Sequence, residues 1–284
     1  MVSRSTGRGY RERPTDNLGT RVIDLHCHIL PGLDDGAPDL EVSLEMAEVA
    51  LDEGIHTIAA TPHVNLTHDV DAEAMAQAVG KLNLALARNK MSLAVLPGGE
   101  VAIEKLANLD DDGLRRFSLG GGPSVLVETP YTGTIPFLED ILFDLQLRGF
   151  RPVLAHPERS LAFRERPERI EPLVERGIVT CVNAASMAGR FGRGAQDLVL
   201  RFFERGLVHA VASDAHDAEH RPPRLLEPFL DADLRLPGIA AQARFFTTDA
   251  PEALISGKPV PSRPEPPEPR PLGWRRLVRR QRDR

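Results

Sequence analysis

One local pattern recurs along the chain: a short β-rich run, a polar turn, then a stretch of helical periodicity. The runs at 22–27, 55–60, 92–96, 124–128, 151–155, 178–182 and 207–212 predict strands. Helical patterns intervene at 39–54 and near 71–90, 135–148, 167–176 and 195–205. The stretch "DLEVSLEMAEVALDEG" shows the logic: Asp39 is a capping residue, apolar residues share one face, and Gly54 stops the helix. Strands joined through helices pair in parallel, because the crossover brings the chain back in its starting direction. Seven such units in a 284-residue chain predict one α/β domain, a closed or nearly closed β/α barrel. A doubly wound nucleotide-binding sheet fits less well. No G-x-G-x-x-G follows the first strand, and no G-x-x-x-x-G-K-[ST] occurs anywhere.

The ends differ from this body. Residues 1–20 are polar, lack a hydrophobic period and are expected to be disordered. The barrel domain is expected over 21–257. Residues 258–273 contain "KPVPSRPEPPEPRP", whose prolines exclude helix and central strand, so this stretch predicts an extended linker. Residues 274–284, "WRRLVRRQRDR", form a basic tail with six arginines and one aspartate. Trp274, Leu277 and Val278 lie there at roughly helical spacing; a solvated tail is the simpler reading, and a weak membrane-surface contact is the alternative. The chain carries −6 overall, so removing the +5 of that tail leaves about −11 on the rest. An acidic body speaks against a nucleic-acid partner. No apolar run is long enough to span a bilayer and the arginine-rich start lacks a signal-peptide core, so a cytoplasmic location is expected.

Each predicted strand leads into a polar group. His26 and His28 follow the first, His63 the second, Glu100 the third and Glu128 the fourth. His156 and Arg159 follow the fifth, Asn183 the sixth, and Asp214 and His216 the seventh. Barrel enzymes build their sites where loops leave the C-terminal ends of strands, so these residues are expected to converge on one mouth. Imidazoles and carboxylates without thiolate suit Mn, Zn, Fe or Mg, and eight donors exceed one four-coordinate ion, which predicts two or three divalent metals. In an extended strand residues i and i+2 face the same way, so His26 and His28 are expected to grip one ion while Cys27 points opposite; Asp214 and His216 are read alike. Any one of these histidines alone is better read as a surface or capped residue, and Glu100 or Glu128 alone as a helix N-terminal carboxylate. Convergence of all eight is what that reading fails to explain. His56, His68, His209 and His220 have no matching pattern, and Asn183 serves either a ligand or the backbone.

Arg159 and Arg221 lie in loops at the predicted mouth, where planar guanidinium forks suit phosphate oxygens. Cys27 and Cys181 make neither a disulfide framework nor a thiolate zinc site and read as small buried hydrophobes. A cysteine-nucleophile phosphatase loop, C-x₅-R, is absent: Leu33 and Met187 occupy the arginine positions.

The segments "IDLHCHILPGLDDG", "SLEMAEVALDEGIHTIAATPHV", "PGGEV", "LVETP", "LAHPER" and "SDAH" resemble the polymerase-and-histidinol-phosphatase (PHP) superfamily. Within it they resemble the bacterial capsule-type protein-tyrosine phosphatases of the CpsB/CapC family, over about residues 22–257. That resemblance implies a PHP-type distorted (β/α)7 barrel and a trinuclear, usually manganese, centre. Its ligands match His26, His28, His63, Glu100, Glu128, His156, Asp214 and His216. It also implies that Asp35 lies near the site, that Arg159 and Arg221 hold the phosphate, and that the partner is a bacterial tyrosine kinase controlling capsule or exopolysaccharide synthesis. The expected reaction is hydrolysis of a phosphotyrosine monoester by metal-activated water. Asp35 is the candidate general acid, although "LDDG" also reads as a plain turn. A small-molecule phosphatase of the histidinol phosphate type, a metal hydrolase acting on amides or nucleic acid, and a non-catalytic kinase-binding module are the alternatives.

Overall fold

Strand β1 (Val22–Cys27) is buried along its whole length and pairs in parallel with β2 (Ile55–Ala60), which pairs in parallel with β4 (Ala94–Leu96). A second parallel sheet runs in the order β3 (His63–Val64), β5 (Glu100–Ala102), β6 (Ser124–Glu128), β7 (Arg151–Ala155), β8 (Val179–Asn183) and β9 (Ala210–Ala212). This arrangement comes from a computed structural model, which describes residues 22–133 and 136–267. The fold is α/β with parallel sheets, as the alternating pattern requires.

The expected second and third strands form as β2 and β4, and each is followed by a further short strand, β3 and β5, that the pattern does not name. Pro62 separates β2 from β3, and Pro97 with Gly98 and Gly99 separates β4 from β5. Proline donates no ladder hydrogen bond, so pairing lapses there and the chain turns from one sheet into the other. Gly99 is required at that corner, since a Cβ would lie 2.9 Å from the Phe117 ring. Glu100, expected beyond the end of a strand, therefore sits inside β5. Its N–H donates to the Pro62 carbonyl at 3.0 Å. At the opposite margin the His28 N–H donates to the Ala215 carbonyl, and the Asp214 N–H to the His26 carbonyl, both at 2.8 Å, tying β1 to the segment after β9.

Side chains alternate across these strands. Leu126, Val153, Ala155 and Cys181 belong to one compact apolar cluster; Val125, Val127, Leu154 and Val182 belong to the larger cluster shared with the helices. Leu254, from the helix Ala250–Ser256, joins the first cluster and is fully buried. The longer helices form where the periodicity places them: Leu40–Asp52, Ala72–Arg88, Leu138–Leu147 and Arg193–Glu204. Asp39 and Asp71 each accept an N–H of the first turn, at 3.1 and 2.9 Å. The 167–176 pattern yields only the helix Ile170–Glu175, after a 3-10 turn at Pro167–Arg169. The expected strand 207–212 is shorter, beginning at Ala210.

The proline-rich stretch forms neither helix nor strand as far as Pro267, and it lies along the domain rather than leading away from it. Arg151 donates to the Lys258 carbonyl at 3.0 Å, Gln242 donates to the Glu265 carbonyl at 2.9 Å, and Arg263 donates to His209 at 3.2 Å. The expected disordered arm at 1–20, the end of the linker and the basic tail at 274–284 lie outside the described residues. Among the described residues no helix is long and apolar enough to cross a membrane.

Candidate metal centre

β1 delivers His26 and His28 to one pocket, their Nε2 atoms 3.1 Å apart, while Cys27 packs into the helix-side apolar cluster. The loop after β1 turns back beneath them. Gly36 permits this return, because a Cβ there would collide with the His28 carbonyl at 2.1 Å, and the Ala37 N–H donates to that same carbonyl at 3.0 Å. The turn brings in two carboxylates. Asp34, whose side chain is buried, accepts from His28 Nδ1 at 2.6 Å, from the His63 N–H at 3.0 Å and from the Gly36 N–H at 3.0 Å. Asp35 reaches the opening, with Oδ1 3.5 Å from both His63 Nε2 and His216 Nε2. "LDDG" is thus a turn and a supplier of site residues at once.

Glu100 lies at the centre, fully buried. One carboxylate oxygen is 2.8 Å from His156 Nε2; the other is 2.9 Å from His63 Nδ1, 3.3 Å from His26 Nε2 and 3.5 Å from His28 Nε2. Glu128 adds an oxygen 3.6 Å from His63 Nδ1, and Asp214 Oδ1 lies 3.5 and 3.4 Å from the Nε2 atoms of His26 and His28. All eight sequence-predicted ligands therefore meet, and Asp35 joins them. They fall into four overlapping groups with metal-ligand spacing: His28, Asp35, His63 and His216; His26, His28 and Asp214; His26, Glu100 and His156; His63, Glu100 and Glu128. The shared strand geometry expected for Asp214 and His216 does not hold. Asp214 has a left-handed backbone, φ +52°, beyond the end of β9, and the two residues enter different groups.

The donor set fits divalent cations. Glu100 Oε2 and His63 Nδ1 are buried 2.9 Å apart and, among the described residues, make no hydrogen bond of good geometry, an arrangement that is costly unless a positive ion sits beside both atoms. Burial works against charge on His28, yet hydrogen bonds to Asp214 and Asp34 outweigh it and push its pKa up to about 10. Burial likewise opposes charge on His63 and His156, and Glu100 raises both. Burial and the neighbouring Glu100 push Glu128 up to about 7. The pocket thus concentrates negative charge that demands cationic partners. Metal ions meet that demand and leave the imidazoles neutral, as ligation requires.

Around the ligands stands a ring of supports. Asp214 Oδ2 accepts from Arg159 at 2.7 Å, Arg221 at 2.8 Å and Asn183 Nδ2 at 2.9 Å, while Asn183 Oδ1 caps the following turn by accepting from the Ala185 N–H at 2.7 Å. Asn183 accordingly serves both the site and the backbone. Asp24, fully buried, accepts from the Ser213 and His26 N–H groups at 3.0 and 3.3 Å and from the Ser213 hydroxyl. It locks the strand carrying His26 to the segment carrying Asp214, and burial pushes its carboxyl up to about 6. Asp24, Asp34, Tyr131 and Phe191 escaped the sequence reading. Asp34 was recoverable as the neighbour of Asp35; Tyr131 and Phe191 carry no motif that marks them. Of the histidines set aside, His68 stacks on His63 with ring centroids 5.9 Å apart, while His56, His209 and His220 stay outside the cluster.

Known proteins resemble this chain in sequence and fold. The family model for capsular polysaccharide synthesis proteins CpsB/CapC matches residues 22–244. The tyrosine-protein phosphatase YwqE of Bacillus subtilis is 41% identical over 201 residues, 70% of this chain and 79% of that protein. The putative tyrosine-protein phosphatase CapC of Staphylococcus aureus is 30% identical over 221 residues, 75% of this chain and 84% of that protein. A chain from the crystal structures of YwqE from Bacillus subtilis and CpsB from Streptococcus pneumoniae, described there as unique metal-dependent tyrosine phosphatases, superposes with a TM-score of 0.76 at 36% identity. The match covers 88% of this chain and 99% of that one. With motifs, fold and relatives in agreement, the chain belongs to the CpsB/CapC family.

Proposed function

We propose that the chain is a metal-dependent protein-tyrosine phosphatase whose catalytic unit is residues 21–257. The observation that carries this reading is the pairing of a nine-donor metal cage with two arginines that converge on one carboxylate oxygen at its edge. His26, His28, His63, Glu100, Glu128, His156, Asp214 and His216, with Asp35 at the opening, hold two or three divalent ions, manganese being the ion the family resemblance implies. Divalent cations held there supply Lewis acidity and a water of pKa lowered towards about 7.

The chain's own residues do the rest. Arg159 and Arg221 hold the phosphoryl oxygens and orient the ester for in-line displacement. Asp34 holds the His28 ring through Nδ1 and so keeps Nε2 turned into the pocket. A tyrosine phenolate, with an ordinary pKa near 10, leaves with less protonation than an alkoxide, so the site needs no strong general acid. Asp35 is the candidate to assist departure and to ligate, a reading supported by its exposure at the opening and by its Oδ1 lying 3.5 Å from His63 Nε2 and His216 Nε2.

The phosphotyrosine partner is a bacterial tyrosine kinase tail in capsule or exopolysaccharide control, a reading supported by the family and its named relatives. The two sheets act as a distorted seven-unit ring, a reading supported by the backbone bonds at both margins. Turnover of phosphotyrosine peptides, a phosphoserine peptide and histidinol phosphate, with Mn²⁺ and with chelator, tests the assignment. Metal-dependent release of phosphate from the tyrosine peptides is expected. Faster turnover of histidinol phosphate would move the chain to small-molecule substrates, and turnover that survives chelation would remove the metal.

A further inference from the structure

Two guanidinium groups donate to a single oxygen, Asp214 Oδ2, so like charges crowd one acceptor. Their arrangement needs a further support, and the rim supplies it. The Tyr131 ring stacks on His156, with centroids 5.5 Å apart and planes 21° apart. The Arg159 guanidinium carbon lies 4.7 Å from the Tyr131 ring centroid and 4.1 Å from the Phe191 ring centroid. The Arg221 guanidinium lies 6.0 Å from the same Phe191 ring. His156, Tyr131, Arg159, Phe191 and Arg221 are thus linked by successive ring and guanidinium contacts that begin at a residue of the metal cage.

Ring quadrupole attraction and packing hold a guanidinium that lies against two aromatic rings and resist its rotation, which fixes where its N–H groups point. Phe191 comes from the "GRFGRG" stretch between the helices Ala184–Met187 and Arg193–Glu204. Gly189 and Gly192, at φ +77° and +87°, give the backbone the two left-handed turns that bring the ring to the arginines.

We propose that Phe191, backed by Tyr131, is a positioning residue that holds Arg159 and Arg221 with their N–H edges towards the phosphoryl group. The proposal rests on the phosphate-binding role given to these arginines above. It assigns to the ring face, rather than to apolar bulk, the task of setting their orientation.

Phe191→Leu, Phe191→Tyr and Phe191→Trp in the Mn²⁺-loaded full chain separate these roles, since leucine keeps bulk and loses the π face. Two readouts are used: the inhibition or binding constant of inorganic phosphate, and kcat/KM on a phosphotyrosine peptide. In Phe191→Leu both are expected to worsen roughly tenfold, in the range of one cation–π contact. The tyrosine and tryptophan variants stay within about threefold of the parent, and metal content is the same in all. Parental phosphate affinity in Phe191→Leu would overturn the proposal, as would equal losses in the leucine and tyrosine variants. If the parent binds phosphate but turns over no phosphotyrosine peptide, the substrate assignment fails while the phosphate constants still decide the role of Phe191.

Discussion

Asp34→Asn isolates the contribution of one buried support to the metal cage. The carboxylate takes three donors on two oxygens: His28 Nδ1 at 2.6 Å, the His63 N–H at 3.0 Å and the Gly36 N–H at 3.0 Å. Asparagine is nearly isosteric but offers one oxygen and one NH₂ group. If the amide oxygen faces His28 and His63, the NH₂ group confronts the Gly36 N–H; if it is flipped, two donors confront the NH₂ group instead. In the better orientation the part-buried Gly36 N–H loses its acceptor, at about 1–3 kcal/mol, and the bond to His28 loses its charge assistance. The first loss lowers the stability of the chelated protein; at roughly 2–4 °C per kcal/mol for a chain of this size, Tm falls by about 2–12 °C. The second weakens the orientation of a ligand ring, worth roughly 10–100-fold in metal affinity. Competition titration of Mn²⁺ against a calibrated chelator, with thermal melts of the metal-free protein, measures both. Metal affinity within about twofold of the parent would refute the idea that Asp34 organises the His28 ligand.

Asp35→Asn changes the most exposed member of the cage, its side chain 53% accessible, so metal content should fall by no more than one equivalent. The chelated Tm should stay within about 2 °C, and larger losses by metal analysis would show Asp35 holding more than one ion. Arg159→Ala removes the donor 2.7 Å from Asp214 and is expected to lower kcat/KM roughly 10–100-fold with unchanged metal content; lost metal would reassign it to the cage. Deleting residues 258–284 removes the acceptor of the Arg151 bond and the partners of Gln242 and His209, so the melt should shift downward while turnover of a small aryl phosphate survives. Abolished turnover would make the stretch part of the catalytic unit. His209 has its pKa pushed down to about 3 by burial and by the Arg263 charge. The folded state therefore excludes a proton that the unfolded chain accepts below its ordinary value of 6.5. The stability this preserves is complete above pH 6.5 and declines as pH falls towards 3, with a limiting slope of about 1.4 kcal/mol per pH unit. Denaturant melts of parent and His209→Gln between pH 6.5 and 5 should diverge in slope; parallel curves would contradict the buried neutral imidazole.

Local information carried the elements and the ligand types. The β-rich runs and helical periods named the principal strands and long helices, since side-chain period is set by backbone geometry within a few residues. The polar group after each run named all eight residues that meet in the pocket, since in parallel α/β folds those positions share one end of the sheet. Periodicity did not reveal the short strands β3 and β5 beyond Pro62 and Pro97–Gly99, because two or three residues that open on His63 or Glu100 carry no hydrophobic period. Nor did it show that the proline-rich segment lies back along the domain. Asp24, Asp34, Tyr131 and Phe191 matter through contacts with residues such as Ser213, His63 and Arg159 that are remote in the chain. Residue type and spacing determined which atoms can bind metal and phosphate; only the packed structure decided which neighbours orient them, because orientation depends on contacts between segments that local sequence does not bring together.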